Sequence, residues 1–102
     1  MNLNVHSIHF DADAKLVGFI RERLAKLSLF NDRILGGEVY LRLSRDGDHR
    51  ENKLVEIKLA VPGKELFAKR KGKSFEEATD QSVEALRRQV ERLKTVRLKK
   101  AS

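Results

Sequence analysis

The sequence predicts an α+β domain in which a four-stranded mixed sheet carries two helices on one face, in the order β-α-β-β-β-α. Three observations predict it. Apolar residues recur at every second position in four segments and at helical spacing in two others. The alternation in the strands is one-sided, so one sheet face is covered and the other is wet, and both helices must pack on the covered face. A helix joins the first two strands, and such a right-handed crossover makes them parallel neighbours; short connections join the last three, which form an antiparallel meander. At 102 residues the chain makes one domain, 1–102, with a single core.

Each element has its own signature. Leu3 to Ile8 reads as a short strand, with Leu3 and Val5 on one side and Asn4 and His6 on the other. Asp11 and Asp13 offer helix N-cap carboxylates. From Asp13 to about Leu29 the period becomes helical, and Leu16, Val17, Ile20, Leu24 and Leu27 share a face. Gly36-Gly37 reads as a turn into the next strand. That strand, Glu38 to Ser44, turns Val39, Leu41 and Leu43 inward. Arg45 to Asn52 is a polar loop containing Asp46-Gly47. Lys53 to Val61 alternates again, with Val55, Ile57, Leu59 and Val61 inward, and Pro62-Gly63 is a tight turn. Lys64 to Lys71 follows, with Leu66 and Ala68 inward and Phe67, Lys69 and Lys71 outward. Ser74-Phe75-Glu76-Glu77 is a capping box opening a helix of about 24 residues, on the order of 36 Å long. Its apolar stripe is Phe75, Thr79, Ser82, Val83, Leu86, Val90 and Leu93, and its end is expected to fray from about residue 97.

Composition excludes whole classes of function. With no cysteine, disulfides and thiolate metal sites are out, and a reducing compartment fits. No apolar run approaches the roughly 20 residues of a spanning helix, and no signal-peptide pattern opens the chain; a cytoplasmic protein without a membrane partner is expected. His6, His9 and His49 sit in no nucleophile–base motif, and no phosphate-binding glycine loop is present, so neither an enzyme nor a small-molecule substrate is indicated. His6, His9, Asp11 and Asp13 match no standard metal spacing, and Asp46, Asp48 and Glu51 lack the twelve-residue calcium pattern. No cofactor or metal is expected.

Charge supplies the positive signal. Twenty-two Lys and Arg against fifteen Asp and Glu give +7. Residues 87–102 hold Arg87, Arg88, Arg92, Lys94, Arg97, Lys99 and Lys100 against Glu91 alone, a net +6. Cations near a helix C-terminus are favoured by its dipole in any protein, but this excess is more than solubility requires. A polyanion partner is expected, nucleic acid before an acidic membrane. On the last helix Arg88, Arg92 and Lys99 fall within about 40° of one another, and Arg87 and Lys94 line the opposite flank of the apolar stripe. Lys15, Phe19, Arg23 and Lys26 share a flank of the first helix, and Lys69, Arg70, Lys71 and Lys73 cluster before the second. Six aromatics, none of them Trp, argue against base stacking as the main force, although Tyr40 and Phe67 point to the wet sheet face. No helix-turn-helix or zinc finger is present. Recognition of folded RNA through phosphate and shape fits best.

The element order carries a family resemblance, together with Val39-Tyr40-Leu41-Arg42-Leu43, the hairpin Pro62 to Ala68, the helix opening Ser74 to Asp80, and above all Leu86-Arg87-Arg88-Gln89-Val90-Glu91-Arg92-Leu93-Lys94. Over essentially its whole length the chain resembles the ribosome hibernation promoting factors, also called ribosome-associated inhibitor A or sigma-54 modulation proteins. The resemblance implies a fold similar to double-stranded-RNA-binding domains with one added strand. It implies a stationary-phase, stress-response translation inhibitor without catalysis. Such a factor binds rRNA of the small ribosomal subunit, alone or in whole ribosomes, and blocks the messenger and transfer RNA channel by occupancy. Arg88 and Arg92 carry over best as rRNA contacts, then Lys94; Arg87, Lys99, Arg23, Lys26, Lys69 and Lys71 complete the expected set. Glu76-Glu77 stands where the family often has alanines, and neither a C-terminal dimerising domain nor an acidic tail follows, so the sequence reads as a short form. A generic structured-RNA binder and a sigma-54 interaction module are the rival readings.

Overall fold

In a computed structural model of the chain, residues 2–29, 33–45 and 49–101 are described, with side chains at all of these except 49 and 94–101. The elements are β1 (Asn2–Ser7), α1 (Ala14–Ser28), β2 (Gly36–Leu43), a 3₁₀ turn (His49–Glu51), β3 (Lys53–Val61), β4 (Lys64–Gly72) and α2 (Phe75–Ala101). The predicted order, the mixed sheet and the shared helix face are all observed. Strand order is β1-β2-β3-β4, with β1 parallel to β2 and the other pairs antiparallel. β1 and β4 are therefore the edges. Both helices start at the end of the sheet where β1 and β4 finish, so they run parallel to each other.

Register explains the core. Val5, Val39, Ile57 and Ala68 form one cross-sheet row, and Leu3, Gly37, Leu59 and Leu66 form the next. These rows meet Ile20, Leu24 and Leu27 of α1 and Ala78, Leu86 and Val90 of α2 in one cluster. Thr79 and Ser82 are also fully buried on α2. Ala78 is a core residue the apolar stripe omits: its small side chain carries little hydrophobic signal.

Local chemistry sets the ends. Asp13 caps α1 by accepting the Leu16 amide at 2.8 Å; Asp11 makes no such bond. Ser74 caps α2, its Oγ accepting the Glu77 amide at 3.0 Å. The reciprocal half of the capping box is replaced, because the Glu77 carboxylate accepts from Gln81 instead. Phe10 stacks on Phe75 with centroids 5.1 Å apart, tying the β1–α1 connection to the start of α2. Gly63 turns the β3–β4 hairpin at φ 74°, in the left-handed region that suits glycine.

Two expectations need correction. Gly36-Gly37 is not a turn: both glycines lie inside β2, paired on each side. A Cβ on Gly36 would come within 2.6 Å of the Asn2 carbonyl oxygen, and one on Gly37 within 2.9 Å of that of Lys58, so close strand approach demands glycine there. Leu43 is not core: it is 51% exposed, because it ends β2 opposite Lys53, one row beyond Leu41 and Val55. Conversely Leu54 is buried on the outer face, between its register partners Arg42 and Lys71. No helix among the described residues is long and apolar enough to cross a membrane.

Candidate nucleic-acid interface

The helix period and one hydrogen bond fix where the cations stand. Gln89 Nε2 donates to the Phe67 carbonyl at 2.8 Å, which pins one flank of α2 over the free edge of β4. Arg88 and Arg92 lie farther out on the same flank, roughly 60–100° around the helix from Gln89. Lys69 and Lys71 alternate with Ala68 along β4 and so leave the same edge strand on the outer face. Together they make a cationic rim on both sides of the β4 edge. Lysines on an edge also discourage strand pairing. That edge is blocked further, because Arg70 Nη1 donates to the Lys69 carbonyl at 2.8 Å.

The opposite flank of α2 faces α1 and has different electrostatics. Arg23 Nε donates to Asp80 Oδ1 at 2.9 Å across the two helices, and its guanidinium lies 4.4 Å over the Phe19 ring. Lys26 meets Glu22 at 3.6 Å. Arg87 donates to both carboxylate oxygens of Glu84, at 3.0 and 2.5 Å, and to Glu91. The Arg87 hydrogen bond holds the Glu84 carboxyl below its ordinary value, and Glu84 in turn raises the Arg87 guanidinium. The seam between the helices is thus internally neutralised.

The expected site residues therefore separate into two groups. Arg92 and Lys71 have no ion-pair partner among the described residues, and the same holds for Lys64 and Lys73. Arg88 is 68% exposed and reaches Glu84 only at 3.7 Å; Lys69 reaches Glu56 at 3.9 Å. Arg23 and Arg87 are hydrogen-bonded to carboxylates on the α1 side of α2, and Lys26 pairs with Glu22 on the exposed surface of α1. The side chains of Lys94 and Lys99 lie outside the described residues, while the backbone of α2 is helical to Ala101. Sequence reasoning missed Lys64 and Gln89. The only local signal for Lys64 is its place directly after the Pro62-Gly63 turn; for Gln89 it is a polar residue beside the apolar stripe.

The wet sheet face holds a third cluster. His6 stacks on Tyr40 with centroids 4.9 Å apart, and Lys58 lies on the Tyr40 ring at 5.9 Å. His6 Nε2 meets Glu38 Oε2 at 2.5 Å, and that bond, with a second from Asn4, holds the Glu38 carboxyl below its ordinary value. Among the described residues, no three His, Asp or Glu are gathered as metal ligands. The chemistry on offer is multivalent attraction of anions along a rigid edge.

The same fold recurs in known proteins. The family described as sigma 54 modulation protein / S30EA ribosomal protein matches residues 3–97. A ribosomal subunit interface protein from Coxiella burnetii superposes with a TM-score of 0.80 at 16% identity, covering 93% of this chain and 99% of that one. The N-terminal domain of Protein Y from Thermus thermophilus gives 0.78 at 22% identity, covering 91% of this chain and 99% of that one. At these identities the likeness is one of fold. No curated protein matches the sequence.

Proposed function

We propose, from the premise that the chain belongs to the sigma 54 modulation protein / S30EA ribosomal protein family, that it is a ribosome-associated factor whose β4 rim binds rRNA phosphates of the small subunit. The observation that carries this reading is the rim itself: Arg88, Arg92 and Lys71 stand exposed along the helix and strand of one edge with a weak internal partner or none. Arginine forks match phosphate geometry, and a fixed row of cations suits a folded polyanion better than a flexible tail does. Lodged in the messenger and transfer RNA channel, the domain would block translation by occupancy without catalysing a reaction. The resemblance to hibernation factors supports action in stationary phase and under stress, in the cytoplasm.

Co-sedimentation with purified small subunits, in the presence of competing duplex RNA, tests the proposal. Retention on the subunit against a large excess of duplex is expected. Equal affinity for both RNAs would make the protein a generic structured-RNA binder. Association that survives nuclease would point to a protein partner such as a transcription factor.

A further inference from the structure

At the far end of the β4 rim, where α2 runs past the sheet, the two elements enclose an open groove of about 340 Å³ lined by Lys64, Leu66, Gln89, Arg92 and Leu93. We infer that this groove holds one unpaired nucleotide of the bound RNA, an inference that rests on the RNA-binding reading above and names what the rim takes at this point. Its volume lies at the small end of ligand sites, which run roughly 300–1,000 Å³.

The lining favours a nucleotide on three counts. Leu93, half-buried, gives an apolar surface against which the face of a base can lie, with the buried Leu66 beneath it. Lys64 and Arg92 flank that surface, and among the described residues neither is paired and no carboxylate lines the groove, so the site is complementary to phosphate. Arg92 brings in addition a planar cation that stacks on bases. Gln89 is held in place by its bond to the Phe67 carbonyl and keeps its amide oxygen and second amide hydrogen for a ligand. A side-chain amide of that kind pairs with the edge of adenine. A base in a duplex presents no free face to such a surface, so the site selects unpaired nucleotides where the rest of the rim reads phosphate alone.

Nuclear magnetic resonance of the full chain, titrated with a short oligoadenylate, tests the inference. The Leu66 and Leu93 methyl signals and the Gln89 side-chain amide are expected to move together. Lys64→Ala, an exposed substitution that leaves the core intact, is expected to weaken oligoadenylate binding on the order of threefold to tenfold. Groove signals that stay still would overturn the inference. So would equal movement with a blunt RNA duplex at the same phosphate concentration, or with a polyglutamate peptide of equal charge. Small-subunit co-sedimentation separates the two readings: a protein that binds subunits while its groove signals stay still loses only the groove, and one that ignores subunits loses the reading beneath it.

Discussion

Two sets of cations of similar number occupy opposite flanks of α2, and their surroundings differ. On the seam with α1, Arg23, Lys26 and Arg87 each meet a carboxylate at hydrogen-bond or ion-pair distance. On the β4 side, Arg92 and Lys71 meet none among the described residues, and Arg88 and Lys69 approach theirs at 3.7 and 3.9 Å, a contact like that of Lys26 but short of the hydrogen bonds that hold Arg23 and Arg87. Net charge treats these residues alike. A phosphate does not, because a guanidinium already forked onto a carboxylate must break those bonds before it can serve RNA. Arg23 thus joins the two helices, Arg87 is tied up within its own helix, and the edge cations keep more of their donors open.

The contrast can be broken most severely through translation. Added to a cell-free translation reaction, the protein is expected to inhibit it, and Arg88→Ala with Arg92→Ala should lower its potency about tenfold or more. Circular dichroism should be unchanged, since both side chains are exposed. Inhibition that persists undiminished would move the working surface elsewhere.

A smaller effect is expected from the seam. Arg23→Ala removes the bridge to Asp80 and the stacking on Phe19. Half-exposed ion pairs contribute about 0–1 kcal/mol, so denaturant unfolding should show a destabilisation within that range. Subunit affinity should change less than the edge variant's. Glu84→Gln probes the boundary between the two flanks, because Glu84 holds Arg87 and also touches Arg88. Arg87 keeps its bond to Glu91, but freeing Arg88 and loosening Arg87 should strengthen RNA binding about twofold to threefold in a filter-binding titration.

The smallest expected effect is on pH dependence. Glu84 titrates below its ordinary value of 4.5 because Arg87 binds its charged form. Its contribution to stability is therefore fully present above 4.5 and is lost as the pH falls through the lowered native value. Thermal melts from neutral pH downward should show this loss in the native chain. In Glu84→Gln that component should be missing.

Much of the fold is legible in the order of the residues. Val55, Ile57, Leu59 and Val61 announce β3 because burial on one side enforces a period of two, and Pro62-Gly63 announces its turn because few residues accept that backbone. Gly36-Gly37 misleads because glycine marks both turns and close strand approach, and only the neighbouring Asn2 and Lys58 carbonyls decide which. For the candidate site, the basic end of α2 is visible, and so in principle is the neutralisation of Arg87, which lies three residues after Glu84 and four before Glu91. The bridge from Arg23 to Asp80 spans 57 residues and needs the parallel packing of two helices. The groove needs Lys64 and Arg92 brought together from different elements, which no local pattern records.

The central claim, that the β4 edge holds RNA and the α1–α2 seam does not, is tested most directly by sedimenting two double variants with small subunits across a salt series. Arg88→Ala with Arg92→Ala should weaken binding and lower the slope of log affinity against log salt by about 2, one for each phosphate the arginines no longer neutralise. Arg23→Ala with Lys26→Ala should keep the native slope. If the two variants fall in affinity and slope alike, net charge governs binding and the assigned edge is wrong.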